Sequence, residues 1–339
     1  MSLDPVRAIE ACYAPAPDDS AWLGGIMDAL SPLERGLGSN GTTCSLQGHM
    51  RYGAIVSRLP LDAATLSNTL RRVSGSVPDD FNRHMFTPPL VEVLSRRAAR
   101  TPARLASSVV KMFAFIGTFG AEDMLSICAL DVDRRGVQVA IPFAGRPRFA
   151  PRVLHQLTRV SAHLLAAHRL RDRFAPPTTP GADGVDAVLD ASGRLHHAAG
   201  DAKDSPARPR LTEAVKRVER ARGHLRRTDP EEALDLWKGL TEGRWSLIDY
   251  CDSDGKRFIL ARRNEPGVRD PKALAPRERD VLAYAAIGHS NKYIGYLLGI
   301  APSTVATHLN SAARKLGVRS RRALIESFGG VRFTGSAPR

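Results

Sequence analysis

The sequence predicts an α+β multidomain chain, with two mixed α/β units followed by an all-α unit of four helices. Three observations predict it. At 339 residues the chain is longer than one hydrophobic core usually serves. Two runs rich in proline and glycine read as linkers, Ala175-Pro-Pro-Thr-Thr-Pro-Gly-Ala and Asn264-Glu-Pro-Gly-Val-Arg-Asp-Pro. Strand-like and helical patterns mix before each linker, whereas only helical patterns follow the second. The expected boundaries are a unit over 1–175, a linker over 176–182, a unit over 183–263, a linker over 264–271, a helical unit over 272–328 and a disordered tail over 329–339.

In the first unit, Trp22, Ile26, Leu30 and Leu33 recur at helical spacing and predict an opening helix. Residues 53–59 read as a strand, and the centre of the unit reads as helical. A hairpin is expected from strands over 124–130 and 137–143, joined by a turn at Asp133-Arg-Arg-Gly136. Residues 152–173 close the unit as a long amphipathic helix, with Leu154, Leu157, Val160, Leu164 and Leu165 on one stripe. Phe113, Phe115 and Phe119 serve either as ordinary core or as the lining of a ligand pocket.

The middle unit begins with strands over 185–189 and 195–198 around an Asp-Ala-Ser-Gly turn. A basic helix over 211–225 follows, then a short helix from Asp229 with Pro230 in its first position. Strands over 245–250 and 257–261 flank Asp252-Ser-Asp-Gly-Lys, whose Asp-Gly pair favours a tight hairpin.

In the last unit, Pro276 suits a first helical turn, and Glu278 and Asp280 place negative charge near that helix N-terminus. Val281, Leu282 and Ala285 share a face, and Gly288 suits the left-handed stop. Ser290 caps a second helix carrying Ile294, Leu297 and Leu298, and Gly299 turns the chain. Pro302 starts a third helix with Val305, Leu309, Ala312 and Leu316 inward. Its outward face is then Ser303, Thr304, Ala306, Thr307, Asn310 and Arg314. Ser320 caps a fourth helix bearing Leu324, Ile325 and Phe328. Two helices joined by a tight turn, the second small and polar outward, make a helix-turn-helix. Residues 272–328 carry nine Lys/Arg against three acids, the surplus that phosphate neutralisation needs.

The ordered segments Leu274-Ala-Pro-Arg-Glu-Arg-Asp-Val-Leu, Gly288-His-Ser-Asn-Lys-Tyr-Ile and Pro302-Ser-Thr-Val-Ala-Thr-His resemble the LuxR-type helix-turn-helix of bacterial transcription regulators. The resemblance implies double-stranded DNA as partner, with the third helix in the major groove and the fourth available for homodimerisation through Leu324, Ile325 and Phe328. Half-sites would then lie about one helical turn, roughly 34–36 Å, apart. Base edges are expected to meet Ala306, Thr307, Asn310 and Arg314. Lys292, Ser303, Thr304, His308, Lys315 and Arg319 are expected on phosphates, with core-edge packing as the alternative for His308. Three departures matter. Ala275 and Ala301 stand where the family has Thr or Ser, which weakens each cap by about 1 kcal/mol. Ala306 stands where the family often has Lys or Arg, and Asn310 is the next outward position, so an A·T-leaning half-site is expected. Tyr293 and Tyr296 replace residues that are often charged, and form either a docking face for the upstream units or a solvated surface.

The first unit resembles a GAF-type sensory module and the middle unit a PAS-like one, each by element order rather than by motif. Together these resemblances imply a DNA-binding transcription regulator whose upstream units sense a small-molecule or protein effector. That effector would bias an equilibrium between free and masked states of the third helix. The alternatives are an enzyme or a protein-binding adaptor brought to nucleic acid by the basic last unit.

A net charge of +14 fits an anionic partner, although residues 203–227 also carry nine Lys/Arg against three acids. The four cysteines, Cys12, Cys44, Cys128 and Cys251, have no metal or disulfide spacing and read as thiols in a reducing cytoplasm. The N-terminus lacks a signal pattern, and the apolar run over 109–119 is short and broken by Lys111, so no membrane is expected. Gly36-Leu-Gly-Ser-Asn-Gly41 matches a dinucleotide fingerprint but lacks the strand before it and the helix after it, so it reads as a loop. Asp18-Asp19 lies in a Pro-flanked loop, and neither His163 and His168 nor His196-His197 has metal-ligand partners at useful spacing. No catalytic residue, metal site or cofactor is expected.

Overall fold

The alternating pattern of the first unit folds into a sheet because each strand can bury one side on helices. In the computed structural model, residues 3–46, 50–173, 185–252, 254–266, 274–318 and 320–329 are described. The elements of the first unit run α1 (Pro5–Tyr13), α2 (Asp19–Leu30), β1 (Asn40–Ser45), β2 (Arg51–Ser57), α3 (Ala63–Gly75), α4 (Asp79–Met85), β3 (Val91–Val93), α5 (Leu94–Ala98), α6 (Ala106–Gly117), β4 (Asp123–Leu130), β5 (Arg135–Phe143) and α7 (Pro151–Arg173). The strands form one antiparallel sheet in the order β2-β1-β5-β4-β3. The expected hairpin is β4–β5, and Arg134 takes a positive φ of 66° in its turn.

Caps account for residues that had no assigned role. Asp4, Asp18 and Asp62 each accept backbone N–H groups at the starts of α1, α2 and α3. Asp18 thus caps α2, and Asp19 is that helix's first residue. The glycine-rich segment is a loop into β1. At Gly38 (φ +73°) a Cβ would sit 2.1 Å from the Arg58 carbonyl oxygen, so a close backbone approach requires glycine there.

The middle unit contains β6 (Val185–Asp190), β7 (Leu195–Ala198), α8 (Ala207–Arg222), α9 (Leu225–Thr228), α10 (Pro230–Leu236), β8 (Trp245–Cys251) and β9 (Arg257–Arg263). Its antiparallel sheet has the order β7-β6-β9-β8. The last unit is helical, with α11 (Pro276–Ala286), α12 (Asn291–Leu298), α13 (Pro302–Lys315) and α14 (Arg321–Gly329). Among the described residues, no helix is long and apolar enough to cross a membrane.

One hydrophobic cluster runs through all three units, from Val6 and Trp22 through Leu164, Trp237 and Trp245 to Leu297 and Phe328. The helix α7 makes this possible. Its apolar stripe packs on the first sheet, and its polar positions Arg159, Ser161, His163 and Arg169 are buried as well. Those polar positions face the other two units. His163 Nε2 lies 3.0 Å from the Trp237 carbonyl oxygen, which can only accept, so Nε2 carries the proton and Nδ1 accepts from Tyr13 Oη at 3.0 Å. Burial pushes the His163 pKa down to about 3, so the imidazole is neutral. The expected linkers fare differently: residues 176–182 lie outside the described residues, as do 267–271, whereas Asn264 is fully buried and donates to Ala166 O (2.7 Å) and Ser246 Oγ (2.9 Å). The expected tail lies outside the described residues beyond Gly329.

Candidate nucleic-acid interface

Residue type sets the start of each helix in the last unit. Ala275 has no side-chain acceptor, so α11 keeps half a capping box, in which Glu278 Oε2 accepts the Ala275 N–H at 2.8 Å. The same carboxylate accepts from Ser311 Oγ at 2.7 Å and Lys315 Nζ at 2.8 Å. Burial opposes the Glu278 charge, but these donors bring its pKa down to about 2. Glu278 therefore ties the start of α11 to the end of α13. Ser290 caps α12 by accepting the Tyr293 N–H, and α12 ends at Gly299 in the left-handed conformation (φ +69°). No side chain caps α13, as Ala301 predicts.

Helix α13 divides cleanly into two faces. Val305, Leu309 and Ala312 are buried in the shared core, while Ser303, Thr307, Asn310 and Arg314 are exposed. Thr304, Ala306 and His308 are half-buried between these faces. Thr307 Oγ1 donates to the Ser303 carbonyl oxygen at 3.1 Å, which leaves the methyl group as its free contact surface. A shallow groove beside this face is lined by Asn291, Ala306, Asn310, Ala313 and Arg321. Arg321 Nη1 donates to Asn291 Oδ1 at 2.6 Å across it. Lys292 is exposed at the start of α12.

Several expected site residues stand elsewhere than the sequence placed them. Leu324 and Phe328 are each 1% exposed and belong to the core, so they are not a dimer surface in this arrangement; Ile325 is half-buried. The reason is geometric, since α14 packs on α11 and α13 and spends its apolar stripe there. Lys315 is held by Glu278 rather than left free for a phosphate. Burial lowers the pKa of His308, favouring the neutral ring of the core-edge alternative. Arg319 lies outside the described residues.

The opposite side of the unit is docked, and sequence reasoning had left this open. Tyr293 and Tyr296 are buried, so they form the docking face rather than a solvated surface. Tyr296 Oη reaches Leu234 O (3.1 Å), Trp237 O (3.0 Å) and His163 Nε2 (3.1 Å), and Tyr293 Oη lies 3.3 Å from Ser161 Oγ. Tyr284 Oη meets Arg169 and donates to Asp131 Oδ1 at 3.1 Å. Arg277 donates to the carbonyl oxygens of Glu242 and Gly243, each at 2.7 Å. Beside it, burial pushes the Asp280 carboxyl up to about 6, against the pull of Arg277 at 3.2 Å. Two aromatics where charges are usual were the available signal.

Residues 272–328 match the bacterial regulatory proteins of the luxR family. Over 76 residues the chain is 42% identical to the transcriptional regulatory protein MctR of Rhizobium johnstonii, covering 22% of this chain and 34% of that protein. Over 98 residues it is 34% identical to the nitrate/nitrite response regulator protein NarP of Escherichia coli, covering 29% of this chain and 44% of NarP. Over 62 residues it is 42% identical to the transcriptional activator protein BjaR1 of Bradyrhizobium diazoefficiens, covering 18% of this chain and 26% of that protein. The chain thus spans less than half the length of each of these relatives.

Proposed function

We propose that this chain is a cytoplasmic transcription regulator that reads double-stranded DNA with α13 and is controlled by its first two units. The observation that carries the reading is the open face of α13. Ser303, Thr307, Asn310 and Arg314 stay exposed although α12 is packed against α7 and Tyr296 bonds the Leu234 carbonyl of α10. Small and polar groups on that face fit base edges, and the exposure of Lys292 and Ser303 supports phosphate contacts for them. The Thr307 methyl and Ala306 suit thymine methyls, and Asn310 suits adenine, so the half-site leans to A·T. Homodimerisation remains part of the reading, on a surface other than the Leu324–Phe328 stripe.

The upstream units act as sensory modules in this reading. An antiparallel sheet closed by a long outgoing helix supports a GAF-like first unit, and the second sheet with its intervening helices supports a PAS-like middle unit. Docking leaves the reading face uncovered, so an effector acts by changing how the last unit is held rather than by uncovering it.

A random-pool duplex selection on the full chain, followed by a salt titration on the selected site, tests the reading. We expect a recurrent, A·T-leaning motif and an affinity that falls steeply with salt, by a log–log slope of about −0.9 per phosphate contacted. A guanine-dominated motif under Ala306 and Asn310 would overturn the base assignment. No enriched motif, with a shallow salt slope, would favour the protein-binding adaptor.

A further inference from the structure

Two arginine-rich surfaces lie outside the last unit, and their charges are met differently. On α8 and α9 the arginines are paired within the chain. Arg217 meets Glu213 at 3.0 Å, Arg220 meets Glu232 at 2.6 Å, Arg222 meets Asp249 at 2.6 Å and Arg226 meets Asp4 at 2.6 Å. A phosphate approaching those guanidiniums would also approach their carboxylates.

The start of α7 is different. The loop from β5 into α7 carries Arg146 and Arg148, both exposed and without an ion pair among the described residues. The first turn of α7 adds Arg152, whose side chain is 61% exposed although its Nε lies 3.4 Å from Glu231 Oε1. Glu231 is shared with Arg159 Nη1 at 3.2 Å, and Asp235 is shared between Arg159 at 2.7 Å and Lys238 at 3.6 Å. Two carboxylates therefore answer three cations, and Arg146 and Arg148 remain unanswered.

Packing joins this surface to the last unit. Helix α12 lies against α7, with Tyr293 Oη 3.3 Å from Ser161 Oγ and the Arg159 guanidinium 5.4 Å from the centre of the Tyr296 ring. Lys292 comes just before Tyr293 and is exposed, without an ion pair among the described residues. It stands near the second turn of α7. Burial, the Arg159 guanidinium and then the Lys292 ammonium hold the His155 pKa below its ordinary value. Arg152 precedes His155 by three residues, about 4.5 Å along the helix axis. That step is close to the axial spacing of phosphates on one DNA strand, about 3.4 Å.

We propose that Arg146, Arg148 and Arg152 hold phosphates of the DNA flanking the half-site, extending from the first unit the track that Lys292 begins. The inference rests on the DNA-reading assignment and adds to it a contact from a unit that reads no bases. Because α7 belongs to the first unit, the contact lasts only while the last unit is docked on it. Undocking then removes flank binding and keeps the base preference.

The test uses the full chain and its selected duplex, once trimmed to the motif and once flanked on each side by about one helical turn (~10 base pairs) of unrelated sequence. Combining Arg146→Ala, Arg148→Ala and Arg152→Ala should lower the log–log salt slope on the flanked duplex by about 2–3, near 0.9 per lost contact. Trimming should weaken the parent chain and leave this variant's affinity unchanged, with the same motif selected by both. A control variant, Lys203→Ala with Arg208→Ala and Lys216→Ala, removes three exposed cations from the α8 side and should still lose affinity on trimming. That separates a local contact from net charge, and equal unfolding midpoints show that both variants fold. An unchanged salt slope in the arginine variant, or an equal loss on trimming in variant and parent, overturns this inference; the DNA reading then still stands if Lys292→Ala, Asn310→Ala and Arg314→Ala weaken binding. If no duplex is selected, the DNA reading fails and this inference falls with it.

Discussion

Replacing Asp131 with alanine should destabilise the chain by about 3–5 kcal/mol, because it strands a buried guanidinium. Arg169 is 4% exposed and donates to Asp131 through Nε at 2.6 Å and Nη2 at 3.1 Å. Its remaining donors reach Asn264 O at 2.7 Å and Tyr284 Oη. Burial works against the Asp131 charge, yet Arg169 holds its carboxyl below the usual range, and the same pairing raises Arg169 against its own desolvation. One ion pair thus joins the β4–β5 turn, α7, the end of the middle unit and α11. Denaturant unfolding measures the loss, and Asp131→Ala combined with Arg169→Met should recover part of it. If Asp131→Ala unfolds at the parent's midpoint, this pair does not hold the units together.

Gly299→Ala should uncouple the last unit from the middle one. The position has φ +69°, where a non-glycine residue costs roughly 1–2 kcal/mol before any contact is counted. A Cβ there would also sit 2.0 Å from the Leu240 carbonyl oxygen, which is backbone and has little room to give. The clash falls at the seam where Tyr296 meets Trp237 and Leu234. Hydrogen exchange should show faster exchange in α12 and in the segment around Leu240, and thermal unfolding should split into two steps. Unchanged protection on both sides of the seam would contradict the docked arrangement.

These two sites also show what the sequence could and could not reveal. The β4–β5 hairpin, α7 and the helices of the last unit were legible because their periodicity and punctuation are local. Strand β3, with three residues, and helix α1 carried too short a pattern to stand out. The burial of the polar side of α7 was not legible, since it comes from packing against α10 and α12, far away in the chain. The same long-range cause misplaced Leu324 and Phe328, because a stripe at helical spacing cannot tell an internal core from a dimer seam. The outward face of α13 was legible because it needs no partner within the chain. The pairing of Lys315 was not legible because Glu278, its partner, lies on another helix.

The central claim is that the exposed side of α13 meets duplex DNA while the unit stays docked. The most direct measurement is the affinity of the full chain for its selected duplex, at one fixed salt concentration, before and after Lys292→Ala, Asn310→Ala and Arg314→Ala are combined. All three side chains stand at exposed or surface positions and none carries the shared core. Losing two base contacts, each worth about 1–3 kcal/mol, together with one phosphate contact should weaken binding by about a hundredfold or more, at an unchanged unfolding midpoint. Affinity equal to that of the parent chain, with the fold intact, would contradict the account.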